Sequence, residues 1–153
     1  MNVNGHHYQT IWLKAGDERV VQIIDQRFLP HQFVIEELTS VARVAAAIRE
    51  MHVRGAGLIG AAAGFGMYLA ALEAAASSSF ADHLSASAAQ LRATRPTAIN
   101  LAWAIERQLQ RIGERRTAEE KITIGLATAR EIAAEDAEYE RLAREHYLTE
   151  HGQ

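Results

Sequence analysis

The 153-residue chain contains no cysteine. This excludes a disulfide scaffold, a thiolate metal site and a cysteine nucleophile within it, and it fits a reducing, cytoplasmic setting. Proline occurs twice, and aromatic residues make up only 7% of the chain. Few prolines leave long stretches free to form helix. No Lys or Arg lies between Arg54 and Arg92, and the net charge is −3. A nucleic-acid partner is therefore not expected. Residues Met1–His7 lack a basic segment followed by an apolar run, so no signal peptide is expected. There is no Walker loop and no nucleophile elbow.

An apolar content of 48% and a charged content of 23% suit one soluble domain with a sizeable core. The expected fold class is α+β, mainly helical. A short antiparallel β-sheet head of two or three strands, about residues 1–37, precedes a bundle of five or six helices over about 38–153. Tyr8–Lys14 and Arg19–Asp25 are rich in β-branched and aromatic residues, and Ala15-Gly16-Asp17-Glu18 between them is turn material, which predicts a hairpin. Gln26–Gln32 holds Pro30 and reads as a loop. Phe33–Glu36 adds a third short strand.

Helical periodicity follows. Val41, Val44, Ala45, Ile48 and Met51 form one stripe, capped by Thr39 or Ser40. Ala56 to about Ala76 forms a small-residue helix ended by Ser77-Ser78-Ser79. Asp82 caps the next helix, which runs to about Ala93. Leu101, Ile105, Leu109 and Ile112 stripe another, closed by Gly113. Thr117-Ala118-Glu119-Glu120 is a capping box opening a long last helix, with Ile122, Leu126, Ala129 and Ala133 inward. Trp12 and Trp103 read as core. Glu135, Asp136, Glu138 and Glu140 read as a solvated face.

The run Gly55–Leu72 holds 18 uncharged residues, five of them Gly and six Ala. It is long enough to cross a membrane, but so much Gly and Ala makes it weakly hydrophobic. A buried central helix is expected, with no membrane contact. Arg54 stands just before it. A forked guanidinium beside the free N–H groups of a helix start suits an anion. Thr94-Arg95-Pro96-Thr97 repeats the device, with Thr97 as a candidate N-cap. The pair suggests a site for a phosphorylated small molecule. The same glycines would serve close helix packing alone, and the residues by themselves leave both readings open.

Seven histidines invite a metal reading. His6 and His7 are adjacent, while His31, His52, His83, His146 and His151 are scattered without i, i+4 pairing, so no metal site is expected. His31 and His52 are the two to watch, as hydrogen-bonded structural residues in the first instance. Asp25, at a strand end, reads as a cap or turn support.

Three ordered segments carry a family resemblance. Met51-His52-Val53-Arg54-Gly55-Ala56-Gly57-Leu58-Ile59-Gly60-Ala61-Ala62-Ala63 closely resembles the "VRGAPxIGxAAA" segment of the methylthioribose-1-phosphate isomerases, which are related to the regulatory subunits of translation initiation factor 2B. Thr94-Arg95-Pro96-Thr97-Ala98-Ile99-Asn100-Leu101 is similar to that family's "TRPTAVNL". Thr10-Ile11-Trp12-Leu13 and Ile24-Asp25-Gln26-Arg27-Phe28-Leu29-Pro30-His31 also match. These stretches favour the isomerase branch. One departure stands out, because the family usually has proline where this chain has Gly57. Glycine there enlarges the unfolded ensemble, a loss of roughly 0.4–1 kcal/mol.

The resemblance implies the N-terminal domain of a two-domain aldose–ketose isomerase that uses no cofactor. Its substrate would be a phosphorylated sugar, bound here by Arg54, Gly55, Ala56 and Arg95. The catalytic cysteine and aspartate would lie in a Rossmann-like C-terminal domain absent here, so no catalytic residue is assigned to this chain. Glu150-His151-Gly152-Gln153 resembles the "EHG" segment that precedes that domain. The resemblance also implies contact with that domain and a homodimer at full length. The alternative is a non-catalytic ligand-sensing or subunit-contact domain of the initiation factor 2B type.

Overall fold

The structure is a computed structural model that describes residues 10–150 and, as backbone only, Asn2–Val3 and His6–His7. Tyr8, Gln9 and His151–Gln153 lie outside the described residues, as do the side chains of His6 and His7.

The head holds two small antiparallel sheets. β1 (Asn2–Val3) pairs with β2 (His6–His7). β3 (Ile11–Lys14), β4 (Asp17–Ile24) and β5 (Ile35–Leu38) form a second sheet in the order β3-β4-β5. The hairpin turns where the turn residues place it, with Gly16 at φ 81. Trp12 pairs with Gln22, and Gln22 with Glu37. These three form a polar ladder on the outer face. Trp12 Nε1 donates to Gln22 Oε1 at 2.8 Å, and Gln22 Nε2 donates to Glu37 Oε2 at 2.9 Å. Trp12 is thus half-buried, not core as expected, because its indole N–H needs a partner. Ile11, Val21, Ile23 and Leu38 are buried and join the core that the helices share. The third strand lies two residues later than Phe33–Glu36. A 3₁₀ turn, Gln26–Phe28, occupies the predicted loop.

The body has five helices among the described residues: α1 (Val41–Arg49), α2 (Ala56–Ala75), α3 (Phe80–Thr94), α4 (Ile99–Gly113) and α5 (Ala118–Glu150). Ser40 caps α1 by accepting from Arg43 N–H at 3.2 Å. Glu73 of α2 accepts the Val41 N–H at 2.8 Å, so the start of α1 is tied to the central helix. The α1 stripe is buried as expected at Val41, Val44, Ala45 and Ile48, while Met51 is 45% exposed. The Thr117–Glu120 capping box forms in both directions.

The caps at the start of α3 and at the end of α4 differ from expectation. Ser79, not Asp82, caps α3: its hydroxyl accepts from the Asp82 N–H, and Asp82 sits in the first turn. Gly113 is the last residue of α4, but Glu114 is the cap. The α5 line is also rotated, with Gly125, Thr128, Ala129 and Ile132 innermost and Ile122, Leu126 and Ala133 flanking.

α2 is the core helix. It is long and apolar enough to cross a membrane, yet 83% of its most apolar window is buried inside the protein. α1, α3, α4 and α5 all pack on it. Its glycines set the approach: a Cβ at Gly66 would lie 3.0 Å from Val44 and 3.1 Å from Leu91. Gln108 of α4, fully buried, donates to Gly64 O of α2 and to Gly125 O of α5, each at 2.9 Å. One side chain thereby joins three helices.

Candidate anion-binding end of the helical body

α1 ends in a Schellman motif. Met51 takes the left-handed position at φ 63, His52 N–H donates to Ala47 O at 2.8 Å and Met51 N–H to Ile48 O at 3.3 Å. The chain then reaches Arg54, which is exposed, and Gly55, the N-cap of α2, at φ 96. Nothing lies within 4 Å of where a Gly55 Cβ would be, so backbone conformation, not space, requires the glycine. No side chain caps α2, and its first turn holds no acidic residue. Its first N–H groups lack intrahelical partners. Arg54 Nη2 donates to Gln26 O at 3.1 Å.

At the second junction Arg95 is the C-cap of α3 and half-buried. Ala98, not Thr97, is the N-cap of α4, and it provides no side-chain bond. Thr97 stays exposed because the chain spends one more residue on the Arg95–Ala98 turn, whose N–H···O bond is 3.0 Å. Arg95, Arg92, Pro96 and Leu101 line an open groove of about 420 Å³ between α3 and α4.

The register of the glycines fixes how these junctions relate. A Cβ at Gly60 would lie 3.2 Å from Asn100 O, and Gly64 O accepts from Gln108. Successive turns of α2 thus meet successive turns of α4 in the same direction, so the helices are parallel and both starts lie at one end of the bundle. α5 runs the other way, with Ile132 against Gly64, Gly125 against Tyr68 and Asp136 against Gly57. The two arginines take different directions from that end: Arg54 turns to Gln26 and Arg95 lines the α3–α4 groove.

Sequence reasoning missed Asp136. The Asp136 carboxylate occupies the space a Cβ at Gly57 would fill. It is half-buried, not part of a solvated face, and burial, with Glu140 nearby, pushes its carboxyl upward. The signal was present in the departure itself, since glycine in place of proline makes room for a neighbour.

Beside Arg54 lies a second polar group. Asp25, 2% exposed, accepts from Arg27 Nε at 3.0 Å and Nη2 at 2.8 Å, and caps the 3₁₀ turn through Arg27 N–H. Those bonds hold its carboxyl below the usual range. His52 Nδ1 lies 2.7 Å from Glu36 Oε2. Asp25, Glu36 and His52 bring their ligand atoms within 4.8 Å of one another. Arg27 engages both oxygens of Asp25, and Glu36 engages His52 Nδ1. His31 is exposed and Trp103 is 51% exposed, with the Arg107 guanidinium 5.0 Å above its ring. Trp103 is therefore a surface residue and not core.

The family described as "Initiation factor 2 subunit family" matches residues 52–150. A methylthioribose-1-phosphate isomerase of Paramagnetospirillum magneticum is 43% identical over 152 residues, covering 99% of this chain and 39% of that protein. One from Thermosynechococcus vestitus is 47% identical over 137 residues, covering 88% and 38%. Among solved structures, the 5-methylthioribose 1-phosphate isomerase of Pyrococcus horikoshii superposes with TM-score 0.74 at 37% identity, covering 83% of this chain and 36% of that one. The delta subunit of translation initiation factor eIF-2B from A. fulgidus gives TM-score 0.75 at 32% identity, covering 86% and 38%. The chain thus spans well under half the length of these relatives.

Proposed function

The chain belongs to the initiation factor 2 subunit family, and from that premise we propose that it is the substrate-phosphate-binding N-terminal domain of an isomerase. The reaction is conversion of 5-methylthioribose 1-phosphate to 5-methylthioribulose 1-phosphate in methionine salvage, in the cytoplasm. The observation that carries this reading is the parallel pair of uncapped helix starts at one end of the bundle, each preceded by an arginine. The names of the relatives supply the substrate class.

Phosphate at the anomeric carbon blocks ring opening to a free aldehyde, so the surroundings of the phosphate matter to the chemistry. Arg54 and Arg95, which take different directions in this structure, swing onto its charge when it binds, and the N–H groups following Gly55 donate to its oxygens. Proton transfer belongs to a cysteine and an aspartate of a second domain, and this chain has no cysteine. Alone it turns over no substrate. The likeness to the initiation-factor delta subunit keeps a non-catalytic ligand-sensing role as the second reading.

The test is titration of this chain with 5-methylthioribose 1-phosphate, followed through backbone amide shifts. Gly55, Ala56 and Gly57 move, and Arg54→Ala and Arg95→Ala each weaken binding ten- to a hundredfold, the effect of about 1.5–3 kcal/mol for a charge-assisted contact. Arg→Lys restores part of it, because lysine lacks the planar fork. Unchanged affinity in both alanine variants would refute the assignment.

A further inference from the structure

His52 lies two residues before Arg54 and is buried, at 7% exposure. Its main chain is held on both sides: its N–H donates to Ala47 O, and its carbonyl accepts from Gln26 N–H, each at 2.8 Å. A carboxylate only accepts, so Nδ1, 2.7 Å from Glu36, carries a proton. Nε2 is buried without a hydrogen-bond partner, and the nearest charged atom is Glu50 Oε2 at 3.8 Å. In the neutral ring that nitrogen is a lone pair facing an anion. In the imidazolium it is an N–H directed at one, and the Glu50 side chain, 62% exposed, is free to close the gap.

The charged groups facing the ring come from four elements. Asp25 at the end of β4 lies 4.0 Å from Nδ1, Arg27 comes from the 3₁₀ turn, Glu36 from β5 and Glu50 from the end of α1. Arg27 is engaged by both oxygens of Asp25. The imidazole therefore sits between two carboxylates, Glu36 and Glu50, that no arginine bonds directly. The Gln26 residue that binds the His52 carbonyl offers its own carbonyl to Arg54 Nη2. The His52 main chain, Gln26 and the Arg54 guanidinium make one connected path to the start of α2, and the ring is carried on its first residue.

We propose that His52 is a positioning residue whose second proton draws Glu36 and Glu50 onto the ring and thereby fixes the Arg54–Gly55 junction. The anion-binding end of α2 is then better formed with the imidazole charged than with it neutral. The use of this coupling rests on the phosphate reading above, but the coupling is measurable without any ligand. The experiment is an NMR titration of the intact chain between about pH 5 and 8, the range in which histidine changes charge. The expected result is that the Arg54 and Gly55 amides and the Arg54 side-chain Nε–H shift with the same midpoint as the His52 ring. In His52→Gln that titration is lost. In Glu36→Gln, which keeps the histidine, the ring and amide midpoints move together. Amides that stay flat, that titrate unchanged in His52→Gln, or that keep their midpoint while the ring's moves, overturn the proposal. Co-titration with no response of these amides to added inorganic phosphate supports the coupling and refutes only the phosphate reading.

Discussion

Replacing Gln108 by glutamate tests the internal order of the bundle. The side chain is 0% exposed and gives its two amide protons to Gly64 O and Gly125 O. Glutamate has the same size, but at neutral pH it sets an anion against two carbonyl oxygens. Burial raises a carboxyl by about 3–5 units, which carries glutamate from about 4.3 to above neutrality. The variant therefore folds with the residue protonated. Its cost at pH 7 is set by the gap between 4.3 and 7, at about 1.36 kcal/mol per unit, or about 3.5–4 kcal/mol. Loss of one donated bond adds about 1 kcal/mol. At roughly 2–4 °C per kcal/mol the melting point falls by about 10–20 °C. The folded pKa is raised, so the ionisation penalty is absent below about pH 4 and grows toward neutrality. Gln108→Leu is the control. It loses both bonds, but the carbonyls keep their helical partners and the unpartnered Oε1 disappears, for a net cost of about 1 kcal/mol. Thermal melts by circular dichroism at pH 7 and pH 4, each referred to wild type, decide it. The reasoning fails if the glutamate variant melts with the leucine variant at pH 7, or if its deficit does not shrink in acid.

Three further predictions concern single positions. Met51→Gly relieves a left-handed residue that is already 45% exposed, and raises stability by about 0.5–1 kcal/mol, read as a higher melting point. Asp25→Asn removes a carboxylate whose folded pKa is lowered by Arg27, so stability is lost at neutral pH. The deficit against wild type narrows as pH falls through the folded value, and a deficit independent of pH refutes the role. Asp136→Asn has the opposite sign, because burial raises that carboxyl. The variant melts higher at pH 7, the gain disappears below about pH 4, and a lower melting point at pH 7 counts against the buried placement.

Much of the body was legible because helix formation leaves local signatures. The α1 stripe and the Thr117–Glu120 box are short-range patterns; the box formed as read, and the stripe did so except at Met51, which lies past the helix end and is exposed. The uncharged run from Gly55 became the core helix for the reason its composition suggests, since small residues admit close neighbours. The misplaced caps were misread by one or three residues, within the reach of a single side chain. Ser79 and Asp82 are both good caps, and only the path of the chain chooses between them. Trp103 escaped because an indole covered by Arg107 is stable at the surface. Gln108 and Asp136 were illegible for a different reason. Their roles depend on what stands opposite: Gly64 and Gly125 lie 44 and 17 residues from Gln108, Gly57 lies far from Asp136 in sequence, and each is on another helix. The two arginine junctions were visible as motifs, whereas their common end of the bundle depends on α2 and α4 running parallel.

That parallel arrangement has a thermodynamic consequence. Two helix dipoles side by side repel at their like poles, and neither first turn carries an acid to offset the positive ends. Asp136 of α5 comes near the α2 start, and burial with Glu140 nearby raises its carboxyl. With no side-chain cap and no acid in either first turn, both starts keep free N–H groups, and any anion seated there acts as a folding ligand. At a concentration one hundred times its dissociation constant it would add about 2.7 kcal/mol to stability. The melting point of this chain should then depend on the buffer anion, rising from chloride to phosphate at constant ionic strength, so the end of the bundle proposed for a sugar phosphate is also where the protein's stability is set by its solution.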